Sequence, residues 1–221
     1  MADAALFTDA DRERIREAVA AAERRTSGEI VPYVVRASGT YPVAVWRGAS
    51  AGALLAAVLA LAASWAYDGW GMGWLYSAWA MALAVGLGGV AGAVAGGAVG
   101  PLRRRLAGAA VLDEAVHRRA AVAFLEEEVF DTRDRTGILL FVSLFEHRIE
   151  VVGDAGINAK VEPGEWDEVV ARLRRGVVGG DLAGGVVAAV EMCGELLHRR
   201  GVDLRPGDTD ELPDGVRVRD E

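Results

Sequence analysis

The chain has 221 residues and a formal net charge of −8, enough for one ordinary domain plus an additional segment. That acidic balance argues against nucleic acid as a partner. The single cysteine, Cys193, excludes an intrachain disulfide and a zinc site built on cysteines.

The N-terminus, MADAALFTDADRER, lacks a basic stretch followed by an apolar one, so no cleaved signal peptide is expected. Thr8 to Arg25 reads as a helix. Thr8 caps it with Asp11 three residues on, and Ile15, Ala18, Val19 and Ala22 form one apolar face. Gly28 ends it, and Glu29 to Arg36 (EIVPYVVR) is a strand. Pro32 has no N–H, so this strand is expected at a sheet edge or with a bulge.

Between Gly48 and Leu102 only Asp68 is charged. Ser50 to Tyr67 is a run of 18 uncharged residues, which as a helix spans roughly 27 Å, close to the hydrocarbon thickness of a bilayer. A second run follows from Gly71, and two spans are expected at about 50–67 and 75–100 within a hairpin of residues 47–103. Asp68-Gly69-Trp70-Gly71 is the turn between them. Trp65, Tyr67, Trp70, Trp74, Tyr76 and Trp79 crowd around it as a headgroup-level aromatic belt. Arg36 and Arg47 precede the first span and Arg103, Arg104 and Arg105 follow the second, which places both termini in the cytoplasm by the positive-inside rule. Gly88, Gly92, Gly96 and Gly100 recur every four residues and make a smooth groove on one helix face. Gly48 and Gly52 can answer that groove within the hairpin. Association of two copies through it is the other reading. Neither span carries an ionisable residue inside the bilayer, which disfavours a pore.

After the hairpin, Gly108 to Val129 returns to helical periodicity, with Leu112, Val116, Ala120 and Phe124 in register. Thr136 to Leu144 (TGILLFVSL) is a strand buried on both faces, Phe145-Glu146-His147 a tight turn, and Arg148 to Gly153 the return strand. Glu165 to Arg175 is a helix burying Trp166, Val169, Val170 and Leu173. Gly176 to Gly185 reads as a glycine-rich link and Val186 to Arg200 as the last helix. Cys193, inside the apolar run VVAAVEMCGELL, reads as a small core residue. Residues 206–221 are rich in Asp, Pro and Gly and read as a flexible tail. Residues 1–46 offer one helix and one strand, too little for a core. Joined with 104–205 they make one α/β domain into which the hairpin is inserted.

The residues hold no complete catalytic set. His147 reads as a solvated turn residue, His117 and His198 as surface residues on charged helix faces, and Glu126-Glu127-Glu128 as a solvated helix end. Ser143 lies in the buried strand without the sharp elbow a nucleophile requires. No phosphate-cradling loop and no HExxH occurs.

The run TSGEIV (Thr26 to Val31), then DRTGILLFVS (Asp134 to Ser143), EHRIEVVGDAGI (Glu146 to Ile157), Trp166, GGDLAGGV (Gly179 to Val186) and ELPD (Glu211 to Asp214) resembles the TPM domain family. More narrowly, the chain is similar to bacterial membrane proteins in which two spans interrupt that domain. The resemblance implies a mixed sheet flanked by helices. It also implies divalent-cation binding, a weak phosphatase activity, or a role in assembly or repair of membrane complexes. Carried onto this chain, Asp134, Asp154 and Asp181 on three loops are the candidate oxygen ligands for Ca²⁺ or Mg²⁺. Arg135 adds a positive charge that opposes a cation or pairs with a carboxylate. The function expected is that of a membrane-tethered binding or complex-assembly module of the inner membrane, whose partners are the lipid bilayer and a second copy or another membrane protein. The alternative is a cation-dependent, phosphatase-like hydrolase.

Overall fold

The structure is a computed structural model and describes residues 6–66, 73, 77–204 and 211–220. The chain forms two compact units, Met1–Ser38 with Ala115–Glu221, and Gly39–Glu114.

The first unit is a mixed α/β fold. Helix α1 (Asp9–Glu23) carries the full capping box: the Thr8 hydroxyl accepts from the Asp11 N–H, and the Asp11 carboxylate accepts from the Thr8 N–H. Strands β1 (Glu29–Val35), β2 (Gly137–Ser143), β3 (Arg148–Gly153) and β4 (Arg217–Arg219) form one sheet in the order β3-β2-β1-β4. β1 runs parallel to both β2 and β4, and β3 runs antiparallel to β2. The parallel pair requires a long crossover. Here the crossover holds the entire second unit and helix α5 (Ala109–Glu126), whose first turns belong to that unit.

β1 and β2 are buried on both faces, so their side chains divide by alternation between two cores. Ile30, Val34, Ile138, Leu140 and Val142 meet α1, α7 (Trp166–Val178) and α8 (Leu182–Arg199). Val31, Tyr33, Val35, Leu139 and Phe141 meet Val116, Ala120 and Ala123 of α5 together with Leu212. Tyr33 and Phe141 stack with ring centroids 5.7 Å apart. The Arg119 guanidinium lies over the Tyr33 ring and donates to its hydroxyl at 2.7 Å.

Several sequence expectations change here. β1 is an interior strand, not an edge. However, β4 pairs only with Tyr33, Val34 and Val35, so Pro32 stands where the outer side of β1 has no strand partner. The tail contributes β4 and buries Leu212 and Val216; residues 205–210 lie outside the described ones. The glycine-rich link shrinks to residues 179–181, because α7 runs on to Val178 and α8 begins at Leu182. A Cβ on Gly176 would come within 2.3 Å of the Gly185 Cα. These glycines therefore serve close helix packing rather than a loop. A one-turn helix α6 (Ala155–Asn158) follows β3.

In the second unit, α2 (Pro42–Ala66) and α3 (Ala78–Ala98) are 25 and 21 residues long. Both are long and apolar enough to cross a membrane. α2 starts earlier than expected because Pro42 opens it and apolar residues follow. The two helices pack at backbone distance. A Cβ on Gly52 would fall 2.2 Å from the Gly88 carbonyl oxygen, and one on Gly48 would fall 2.3 Å from that of Gly92. A Cβ on Gly96 would similarly fall 2.6 Å from the Ala44 carbonyl oxygen. Gly100 does not lie on α3. The helix breaks at Val99 and restarts as α4 (Gly100–Ala107). Pro101 accounts for the break, since its ring would clash with the carbonyl four residues back in a continuous helix. The turn expected at Asp68-Gly69-Trp70-Gly71, with Tyr67, Trp74 and Tyr76, lies outside the described residues.

Candidate functional site

Residues of TSGEIV, DRTG and ELPD converge at the end of the sheet where β1 and β2 begin. The buried Glu29 carboxylate accepts from the N–H groups of Glu211 and Leu212, tying TSGEIV to ELPD. The Thr136 hydroxyl donates to the Ser27 carbonyl at 2.7 Å, and the Thr26 hydroxyl donates to the Val202 carbonyl at 2.5 Å. The Arg133 N–H donates to the Glu211 carboxylate. These polar side chains hold loops together at a buried rim, where an unpaired group is costly.

A cavity of about 420 Å³ opens at that rim, lined by Ser27, Asp134, Thr136, Lys160 and Asp203 with Gly156 and Gly201. Gly156 lies against the 134–135 loop so closely that a Cβ there would meet the Asp134 carbonyl oxygen at 2.3 Å. Lys160 donates to the Gly201 carbonyl at 2.5 Å. Lys160, Asp203 and Ser27 escape notice in the sequence. Their only signal is that Lys160 is the sole lysine and that Ser27 sits inside TSGEIV.

The three aspartates have different surroundings. Asp134 lines the cavity. Asp154, 6% exposed, caps α6 through the Ala155 N–H and is gripped by Arg135, with Nε 2.7 Å from one carboxylate oxygen and Nη2 3.0 Å from the other. Only Oδ1 is hydrogen-bonded, by the Ala155 N–H and Arg135 Nη2; buried Oδ2 lies at ion-pair distance from Arg135 Nε without a hydrogen bond. Arg135 reaches it from a left-handed backbone (φ 58°) and also lies over the Phe130 ring. Asp181 caps α8, accepting from the Gly184 N–H at 2.8 Å. Among the described residues no group of three or more His, Cys, Asp or Glu side chains is placed to hold a metal ion. Asp134, Asp154 and Asp181, the Ca²⁺ or Mg²⁺ ligands expected from the resemblance, are not among such a group: Asp154 pairs with Arg135, and Asp181 caps α8.

His117 Nδ1 lies 2.6 Å from a Glu150 carboxylate oxygen, and His198 Nδ1 lies 3.5 Å from one of Asp203. His147 occupies an exposed turn at φ 56°. Cys193 is fully buried, and burial pushes its thiol far above the ordinary cysteine range, so it is not a poised nucleophile. At the opposite end of the sheet, Glu146 is 1% exposed. Its carboxylate accepts from the Ser38 N–H at 3.0 Å and from the Ser143 hydroxyl, and the hydroxyls of Ser38 and Ser143 are 2.7 Å apart. Glu146 lies in the turn between β2 and β3, as the sequence predicts, and its burial there is what the sequence does not show.

No protein-family model matches the chain, and no curated protein does. Its structure is similar to the NMR structure of the BA42 protein from the psychrophilic bacterium Bizionia argentinensis, with a TM-score of 0.60 and 18% identity over 99% of each chain. At that identity the likeness is one of fold: a mixed sheet flanked by helices.

Proposed function

We propose that the chain is a multi-pass protein of the inner membrane, with both termini cytoplasmic and a TPM-like domain acting as a membrane-tethered binding or complex-assembly module. The observation that carries this reading is the apolar exterior of the helical pair. Leu54, Leu55, Val58, Leu59, Leu83, Leu87, Val90 and Val94 are exposed, and Trp65 and Trp79 are 94% and 87% exposed. In water such a contiguous surface is strongly unfavourable, whereas lipid is its natural solvent. The ends of the hairpin meet as well: Arg47 at the start of α2 donates to the Leu106 and Ala107 carbonyls at 2.7 and 2.9 Å. With Arg103, Arg104 and Arg105, that gives one basic end, which the positive-inside rule assigns to the cytoplasm. The hydrolase alternative is less favoured, because it needs Asp154 and Asp181 on one ion while Arg135 and the α8 N-terminus engage them.

The test is cysteine accessibility in intact cells. Asp68→Cys is expected to react with a membrane-impermeant maleimide added outside, and Asp220→Cys only after permeabilisation. The opposite pattern overturns the orientation, and recovery of the chain in the aqueous phase without detergent overturns the membrane reading.

A further inference from the structure

From Pro42 to Gly108 the charged residues that the structure describes are all arginines: Arg47, Arg103, Arg104 and Arg105. All belong to the helical unit. α3 has 21 residues, which as a helix span roughly 31 Å and fill the roughly 30 Å of hydrocarbon in a bilayer. Arg103, Arg104 and Arg105 follow directly, in the first two turns of α4. In a bilayer that is the level of the headgroups, a layer roughly 5–8 Å deep on each side, and the long arginine side chain lets its charge settle there. α4 has an apolar flank and a basic one. Leu102 and Leu106 share the apolar flank, and Leu106 leans on α3, its Cδ1 3.3 Å from where a Cβ on Gly96 would fall. Arg104 stands opposite, with Arg105 beside it. Arg105 is exposed, and its side chain makes no hydrogen bond or ion pair among the described residues. Arg103 and Arg104 also interact within the protein, but a guanidinium has five N–H donors, so an internal contact leaves others for a further acceptor. Arg47 ties α4 to α2 by donating to the last two carbonyls of α4, those of Leu106 and Ala107. Trp46, its neighbour in the chain, is 74% exposed, which suits a ring at the membrane–water interface.

We propose that α4 is a headgroup-binding helix, whose arginines draw acidic phospholipids to this end of the hairpin in preference to zwitterionic ones. The inference rests on the membrane reading above and adds the chemistry of the lipid. Guanidinium forks match phosphate oxygens. A zwitterionic headgroup brings its own cation to the same place, and the arginines repel it; an acidic headgroup brings no such charge. Each arginine near an anionic membrane surface favours it by about fivefold, so Arg104 and Arg105 together suffice for a measurable choice. α4 itself holds no carboxylate. Asp113 and Glu114, the acidic residues described in the same unit, belong to α5, beyond Gly108. Depth decides between a lipid and an acidic peptide, because residues so close to the end of a membrane span meet headgroups before any soluble partner.

Electron spin resonance of chain-labelled lipids tests it, with the full chain in phosphatidylcholine vesicles and protein-free vesicles as the blank. Spin-labelled phosphatidylglycerol and phosphatidylcholine should each show a motionally restricted fraction, with phosphatidylglycerol favoured roughly threefold or more. Arg104→Gln combined with Arg105→Gln should abolish that preference, while its restricted phosphatidylcholine fraction stays at the wild-type level and shows that the hairpin is inserted. Should the pair fail to insert, Arg105→Gln alone, at an exposed side chain, should weaken the preference. Arg104→Lys combined with Arg105→Lys keeps the charge and should retain most of it. Arg118→Gln, in the α/β unit, should behave as wild type. Equal restriction of the two lipids by the wild-type chain overturns the proposal and leaves the membrane reading standing. An undiminished preference in the inserted Gln variants overturns it too, as does a loss in the Lys pair as complete as in the Gln pair. If neither lipid is restricted beyond the protein-free blank, the membrane reading itself fails, and this proposal with it.

Discussion

Asp11 shows how a single half-buried carboxylate can anchor a helix start. The Thr8 hydroxyl donates to it at 2.7 Å and the Thr8 N–H at 3.1 Å. These bonds, more than the nearby Arg14, hold its pKa below the ordinary aspartate value of 3.8. A depressed folded-state pKa contributes stability that is complete above the unfolded value and is lost as pH falls through the folded one. Replacing Asp11 with Asn should therefore lower the urea midpoint at pH 7, and the difference from wild type should shrink steadily below about pH 3.8. A gap that stays constant into strong acid would show that the carboxylate charge contributes nothing. Asp154 is the complementary case. Its ion pair with Arg135 joins two side chains 19 residues apart, and the sequence leaves open whether that arginine opposes a cation or pairs with a carboxylate. In the fold Arg135, on a left-handed backbone, pairs with Asp154.

Among elements, β4 and the hairpin glycines separate what periodicity reveals from what it hides. α1, β2 and β3 were legible because each has a period or a bounded apolar run and a recognisable cap or turn. β4 was not. It has three residues, two of them arginines, in a stretch rich in Asp, Pro and Gly, and its stability comes from pairing with β1 rather than from its own composition. Truncation after residue 210 removes β4 along with the buried Leu212 and Val216. It also removes the N–H groups that satisfy Glu29. The two side chains alone imply a loss of roughly 3–5 kcal/mol, visible as a lower urea midpoint; an unchanged midpoint would show the tail to be dispensable. Glycine is ambiguous in a sequence because it serves both loops and close approach, which is why residues 176–185 read as a link. The same ambiguity in the hairpin is testable. A Cβ on Gly89 would lie 3.6 Å from that of Ala53, inside disulfide range. Ala53→Cys with Gly89→Cys should thus oxidise within one chain. Adding Gly92→Leu, whose Cβ would fall 2.1 Å from the Gly48 carbonyl oxygen, should abolish the crosslink, while Gly86→Leu, facing open space, should not. A crosslinked dimer instead of a monomer would assign the glycine face to association between copies.

For the whole molecule, the decisive feature is that β1 and β2 are parallel partners over seven residues and are separated in sequence by about a hundred others. β1 supplies Ile30 and Val34 to one core and Val31, Tyr33 and Val35 to the other. Without it, β2 loses its partner on one side, and α5 loses the Tyr33 ring that Arg119 covers. The residues before the hairpin have only α1 and β1, too few to bury a core. Folding of the α/β unit thus waits until the chain has passed through the hairpin and back, at a loop-closure cost that grows only slowly with the length of the excursion. Residues 1–46 and 104–221 prepared as separate polypeptides should each show rapid amide exchange and no cooperative unfolding. Mixed at equal concentration, they should regain slow exchange at Val31, Tyr33, Leu139 and Phe141. If either piece protects its own strand alone, the sheet does not need both halves, and the hairpin joins two separate folds instead of interrupting one.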